Sequence, residues 1–221
     1  MRTELEAALD AAHQRFSALV RATPAASAGR PVAACPGWSA ADLAAHVLTV
    51  YRRALGDRRR SATPEETAAL NATCLSEVPE RDLAVLADLL DADGPASFAV
   101  LRGFPTDFSF RFHGGSRTTV VPVSAVILSE LLIHGHDLAD AVGADWVIPP
   151  AEADLVLRGV AEPGPDGYPP LFTAWLTPGA EPLLAASVAS DGPVNVLTTV
   201  FNRTKPATPE LAQLATHLRP V

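Results

Sequence analysis

The sequence predicts a mainly α protein, a helical bundle followed by a small α/β piece, and three observations predict it. Apolar residues make up 48% of 221, enough to build a core and too many for a disordered chain. They recur at three- and four-residue steps through most of the first 160 positions, the period of a helix with one buried face. From Glu162 the texture changes to Glu162-Pro-Gly-Pro-Asp-Gly-Tyr-Pro-Pro170, which reads as a boundary. The expected division is a helical unit over residues 1–162 and a small α/β unit over 163–221.

Taken in order, Thr3 to Arg21 carries Leu5, Leu9, Ala12, Phe16 and Leu19 on one face, with His13 at its margin as an edge residue. Ala22 to Gly37 is loop-like. Ser39 with Asp42 three residues on is a capping box. The helix it opens is expected to run to about Arg59 with Leu43, Val47, Val50 and Ala54 inward. His46 flanks that stripe and can look into a bundle interior, where such a histidine is ordinarily a satisfied core residue. Thr63-Pro64-Glu65-Glu66 starts another helix, ending near Pro79, and Leu83 to the Gly94 stop makes the next. Phe108 to Phe112 alternates, Gly114-Gly115 can turn and Thr118 to Val121 is β-branched, which together predict a short hairpin. Pro122 opens a long helix that Gly143 ends, and Pro150 to Val160 is another. Beyond the boundary, Leu171 to Leu176 and Leu183 to Val188 read as strands, Asn195 to Phe201 as a short helix, and Thr208-Pro209 as the cap of a last one to about Leu218.

Charge and composition exclude several function classes. A net charge of −8 opposes nucleic acid or an anionic membrane surface as partner. The Arg58-Arg59-Arg60 run is expected to close a helix, where cations oppose the dipole. Cys35 and Cys74 are too few for a disulfide framework, and neither belongs to a CxxC pair. No basic segment with a following apolar run is visible at the start, nor about 18 consecutive apolar residues, so a soluble cytoplasmic protein is expected. There is no phosphate loop, dinucleotide fingerprint, HExxH or nucleophile elbow.

The stretch that carries chemistry is Glu130-Leu-Leu-Ile-His134-Gly-His136-Asp137. At about 100° per residue, Glu130 and His134 lie one turn apart at the centre of the apolar face formed by Val123, Ile127, Leu131, Leu138 and Ala141. Asp137 falls on its edge, and His136 points the opposite way. A lone carboxylate in an apolar stripe is costly unless its charge is met; a metal shared with His134, an arginine from another helix, or protonation would each serve. His46 could supply a third ligand. Two nitrogens, one oxygen and room for an exogenous ligand make a catalytic zinc arrangement, although nickel, iron or manganese also accept this donor set. Asp137 or Asp42, each within a turn of a histidine, could orient a ring through its second nitrogen.

Cys35-Pro-Gly-Trp38-Ser39, followed by Asp42-Leu-Ala-Ala-His46, resembles the N-terminal signature of the mycothiol-dependent maleylpyruvate isomerases and their S-transferase relatives, in the DinB-like metalloenzyme superfamily. Glu130 to Leu138 resembles the second signature, and together the likeness covers roughly residues 1–160. It implies a DinB-like four-helix bundle in which His46, Glu130 and His134 bind a divalent metal, usually zinc. His136 stands where the family often has an aromatic residue and is left out of the site. The Cys35 motif is read as a turn seating Trp38, with a thiol nucleophile there disfavoured because no neighbouring base is apparent. The C-terminal piece resembles the family's second domain faintly, which implies Arg203 as the catalytic arginine for an anionic substrate.

The resemblance further implies mycothiol as thiol cosubstrate and a small electrophile as substrate. The metal lowers the pKa of the bound thiol, and the thiolate attacks the electrophile. Addition to a conjugated double bond, rotation and elimination would isomerise it; release of the conjugate would make the protein a transferase. Activation of a water for hydrolysis, a non-catalytic metal- or ligand-binding bundle, and an interaction protein with Glu130 and His134 as core polar residues are the other readings. Nothing in the sequence sets the electrophile, the native ion or the oligomeric state.

Overall fold

The computed structural model describes residues 1–63 and 66–219. The helix start expected at Pro64 and Glu65 lies outside the described residues. The helices are α1 (Arg2–Ala22), α2 (Ala40–Ala54), α3 (Glu66–Ser76), α4 (Leu83–Gly103), α5 (Val120–Val142), α6 (Pro150–Val160), α7 (Glu181–Asp191), α8 (Pro193–Val200) and α9 (Pro209–Ala215), with a two-residue hairpin, β1 (Phe110–Arg111) and β2 (Arg117–Thr118), before α5. The mainly α expectation holds.

Helices α1, α4, α2 and α5 pack in a ring, each against the next, and α6 closes over α5 and α1. The predicted apolar stripes are what this ring buries: Leu5, Leu9 and Phe16 from α1, Leu43 and Val47 from α2, Leu86 and Leu90 from α4, and Leu131 and Leu138 from α5 are almost wholly inaccessible. Burying one such side chain contributes about 1.5–3 kcal/mol, so these stripes set the fold. α5 is long and apolar enough to cross a membrane by composition alone, but 78% of its apolar window is buried inside the protein. It is the central helix of the ring.

Caps fix where the site-bearing helices begin and end. Both arms of the Ser39 box form: Asp42 N–H donates to Ser39 Oγ at 3.1 Å and Ser39 N–H to Asp42 Oδ2 at 2.9 Å. Gly143 adopts the left-handed conformation (φ 73°) that ends α5. His13 is buried beneath Tyr51, whose hydroxyl lies 3.0 Å from its Nδ1, rather than at the face margin.

Several expectations are corrected. α2 stops at Ala54, so the arginine run does not close it; Arg59 instead pairs with Asp57 and Glu77 in the loop beyond. Gly94 does not stop α4. A Cβ there would come within 2.7 Å of His13 Cε1, so this glycine admits a close approach, and the helix continues through Pro95. The second strand is short because Thr119 caps α5 and helix begins at Val120, leaving Pro122 in the first turn where its missing N–H costs nothing.

The α/β expectation for the C-terminal piece is wrong in its β part. Leu171–Ala174 is a single 3₁₀ turn and the run from Leu183 to Val188 lies inside α7; among the described residues of this piece a lone bridge, Leu176 to Leu218, is the only β pairing. Apolar runs of six residues do not distinguish strand from helix, and Pro182 in the first turn of α7 favours the helix. α8 falls where a helix was expected, and Thr208 caps α9, which ends at Ala215. α8 rests on α6 and α9 on α7 and α8, which carries the following loop back to the bundle.

Candidate metal centre

The capping box sets the phase of α2 so that His46, four residues past Asp42, faces α5. There it meets the Glu130-xxx-His134 pair, whose side chains share one face because four residues are about one helical turn. Glu130 Oε2 lies 3.0 Å from His134 Nε2 and 3.4 Å from His46 Nε2. All three potential ligand atoms lie within 4.8 Å of one another. The two imidazoles meet edge to face at 5.2 Å, and the Trp38 ring lies 4.7 Å from that of His46. The Cys35 turn thus places Trp38 as a cover over the histidines.

The protonation pattern points to a cation. Asp137, a carboxylate that can only accept, lies 3.2 Å from His134 Nδ1, so that nitrogen carries the proton. In the neutral ring, Nε2 is then a lone pair aimed at the Glu130 carboxylate, an arrangement that repels unless a positive charge lies between them. Without an ion that charge must be a proton. Burial pushes the His134 pKa down, but Asp137, Cys35 and Glu130 overcome it and hold the ring well above its ordinary value. Burial likewise pushes Glu130 up, yet hydrogen bonds from His134 and His46 hold it well below the usual carboxylate range. Buried His46 is shifted toward the neutral form. Among the described residues no arginine or lysine pairs with Glu130, and its side chain keeps 26% of its surface open. Two imidazole nitrogens and one carboxylate oxygen, with an accessible side, fit a divalent ion such as zinc.

Asp137 is anchored from the far side. Arg203 grips it bidentately, Nε to Oδ1 and Nη2 to Oδ2 both at 2.7 Å. Arg203 reaches it because Asn202 takes a left-handed turn after α8, φ 56°, a conformation asparagine tolerates. Burial alone would raise Asp137, but the bonds to His134, His136 and Arg203 hold it far below the usual range. The arginine expected at a substrate therefore arrives at the site with its guanidinium already engaged; Nη1 also donates to the Phe201 carbonyl.

Other residues fall differently from expectation. Asp42 is committed to the cap and to Arg81, at 2.6 Å, and orients no histidine. His136 stays outside the cluster, partly exposed. The sequence shows no base beside Cys35, yet its Sγ lies 3.8 Å from Asp137 Oδ2 and 3.9 Å from Arg203 Nη2. That proximity depends on a long-range contact no local motif encodes.

Glu130 also borders a cavity of about 800 Å³. Its walls include Phe104, Phe108, Phe110, Phe112, Trp175 and Phe201, drawn from α4, the hairpin and the C-terminal piece. The sequence reading singled out none of these as site residues, because they come together only through the packing of distant segments.

The fold and the cluster define the class: a helical bundle in which two histidines and one carboxylate from two of its helices converge. The family model described as the mycothiol maleylpyruvate isomerase N-terminal domain matches residues 9–139, more than half of the chain, and the chain belongs to that family. Among solved structures, a crystal structure of a histidine-to-alanine mutant of mycothiol-dependent maleylpyruvate isomerase aligns with TM-score 0.49 and 15% identity, over 72% of this chain and 67% of that one. No curated protein matches the chain.

Proposed function

We propose that this chain is a metal-dependent enzyme that uses mycothiol, or a low-molecular-weight thiol of that kind, to isomerise a small electrophile or to conjugate the thiol to it through sulfur. The family to which it belongs supports the thiol. The observation that supports the metal is the convergence of His46, Glu130 and His134 about one point, with Glu130 paired, among the described residues, only with the two imidazoles.

A divalent ion held there, zinc being best suited to the donors, would lower the pKa of a coordinated thiol so that the nucleophile is available at neutral pH. The chain's own residues do the rest. Asp137 keeps the proton of His134 on Nδ1 and so presents Nε2 as a ligand. Arg203 keeps Asp137 ionised and in place, a positioning role. Trp38 shields the two imidazoles from water, and the aromatic cavity beside Glu130 receives the electrophile and holds its reactive carbon near the sulfur.

The experiment is to load the protein with zinc and supply mycothiol together with maleylpyruvate or with an activated alkene. Zinc-dependent isomerisation without net thiol loss supports an isomerase, and zinc-dependent conjugate formation a transferase. If zinc is bound and neither occurs over a range of thiols and electrophiles, the protein is a non-catalytic metal-binding bundle and the proposal fails.

A further inference from the structure

The cavity beside Glu130 is basic as well as aromatic, in a chain whose net charge is −8. Arg53, Arg58, Arg60 and Arg111 all border it, against Asp57 and Glu130. Asp57 is already neutralised from outside: Arg59 donates to both of its oxygens, at 2.9 and 2.7 Å, and holds its pKa at about 2. The positive charge on the wall is therefore not spent on the wall's own acid.

Two of the cavity's donors are buried and unpartnered among the described residues, Arg53 Nε and His113 Nε2. For His113 the tautomer follows from the hydrogen bonds. Ser61 N–H donates to His113 Nδ1 at 3.2 Å, so Nδ1 is the acceptor and the proton of the neutral ring is on Nε2. Burial, then the charges of Arg53 and Arg60, hold this ring neutral, with a pKa near 4. Arg53 keeps Nη2 on Asn71 Oδ1 at 2.6 Å, which fixes the guanidinium while leaving Nε unused. Each unmet buried donor is destabilising, and two guanidiniums crowded together add repulsion. An acceptor carrying negative charge would relieve both.

From these observations we infer that Arg53, Arg60 and His113 form a carboxylate-binding subsite that selects, for the reaction proposed above, electrophiles with an acid group and an apolar or aromatic body. Its separation from the centre follows from helix geometry. Arg53 is seven residues beyond His46 on α2, and Val123, also on the cavity wall, is seven residues before Glu130 on α5. Seven residues rise roughly 10 Å along a helix, which offsets the backbone of the subsite from that of the centre.

The inference rests on the cavity being the substrate site, so its test is arranged to separate the two claims. Binding of 4-phenylbutyrate and of its uncharged amide is measured by calorimetry on the full chain, both zinc-loaded and chelator-stripped. The acid is expected to bind at least tenfold more tightly than the amide in both forms, and Arg53→Met and Arg60→Met are each expected to reduce that ratio towards one. His113→Gln, which retains a donor, should keep most of it where His113→Leu does not. Thermal melts identify any variant that fails to fold, and Arg53→Lys, which retains charge without the fork, then gives the same comparison with an intermediate ratio. Equal affinity for acid and amide overturns the subsite. So does a preference seen only with zinc and unchanged in the arginine variants, since the carboxylate is then on the ion; that result leaves the metal reading standing. A preference in the stripped protein that survives in a chain unable to bind zinc supports the subsite while removing the metal reading.

Discussion

Asp137 Oδ2 accepts from His134 Nδ1 at 3.2 Å and, at the same time, from Arg203 Nη2 at 2.7 Å. One carboxylate thus links the second-signature histidine to Arg203, 66 positions beyond Asp137. Asp137→Asn keeps the shape and removes the charge that favours the Nδ1–H tautomer. Zinc affinity, measured by competition with a chromogenic chelator, should fall by about 10- to 100-fold. Arg203→Met should lower it by less, because the carboxylate itself remains beside His134 and only its anchor is lost. Unchanged affinity in Asp137→Asn would remove Asp137 from the account.

The ligand set separates His46 from His136. His46→Ala deletes one of three donors and should leave the purified protein without stoichiometric zinc, whereas His136→Ala should retain it. Elemental analysis of chelator-free protein distinguishes the two, and equal zinc in both variants would exclude His46 as a ligand.

Trp146 packs flat over Gly135 on α5 and donates through Nε1 to the Leu132 carbonyl at 3.0 Å. A Cβ at position 135 would fall 2.1 Å from Trp146 Cζ2, so Gly135→Ala must displace the indole. Overpacking of this kind costs about 1–3 kcal/mol, and chemical denaturation should register a loss of that size. A variant as stable as the parent would mean that Trp146 has room to move.

His113 sets a pH window. Its ordinary value is 6.5 and its folded value about 4, so between those limits the unfolded chain binds more protons than the folded one. Stability contributed by the neutral ring is full above about pH 6.5 and is lost as pH falls toward 4. The ring is partly exposed, which discounts the contribution to the order of 1 kcal/mol. His113→Gln should flatten the difference in stability between pH 6.5 and 4 relative to the parent, and an identical slope in both would contradict the assignment.

Much of the bundle was legible because its signals are local and redundant. The apolar periods of α1, α2 and α5, the Ser39–Asp42 box and the Gly143 stop each agree with the packing they serve. The Glu130–His134 pair could be seen because an acid and an imidazole one turn apart on an apolar face require an explanation. What could not be seen depends on contacts between distant segments. Gly94 resembles a stop until His13 is found against it, and Leu183 to Val188 resembles a strand until its surroundings are known. Arg203 was noticed as a cation, but its engagement with Asp137, and the approach of Cys35 to both, depend on the left-handed turn at Asn202 and on the docking of the C-terminal helices. The aromatic cavity draws its wall from stretches as far apart as Val50 and Phe201, and no window of sequence contains it.

The central claim is tested most directly by zinc K-edge X-ray absorption on the zinc-loaded protein with and without mycothiol. The account predicts one tightly held zinc with two imidazole nitrogens and a carboxylate oxygen near 2.0–2.2 Å, and a new sulfur ligand near 2.3 Å when the thiol is added. Failure to retain zinc, or a coordination shell that gains no sulfur in the presence of the thiol, would contradict it.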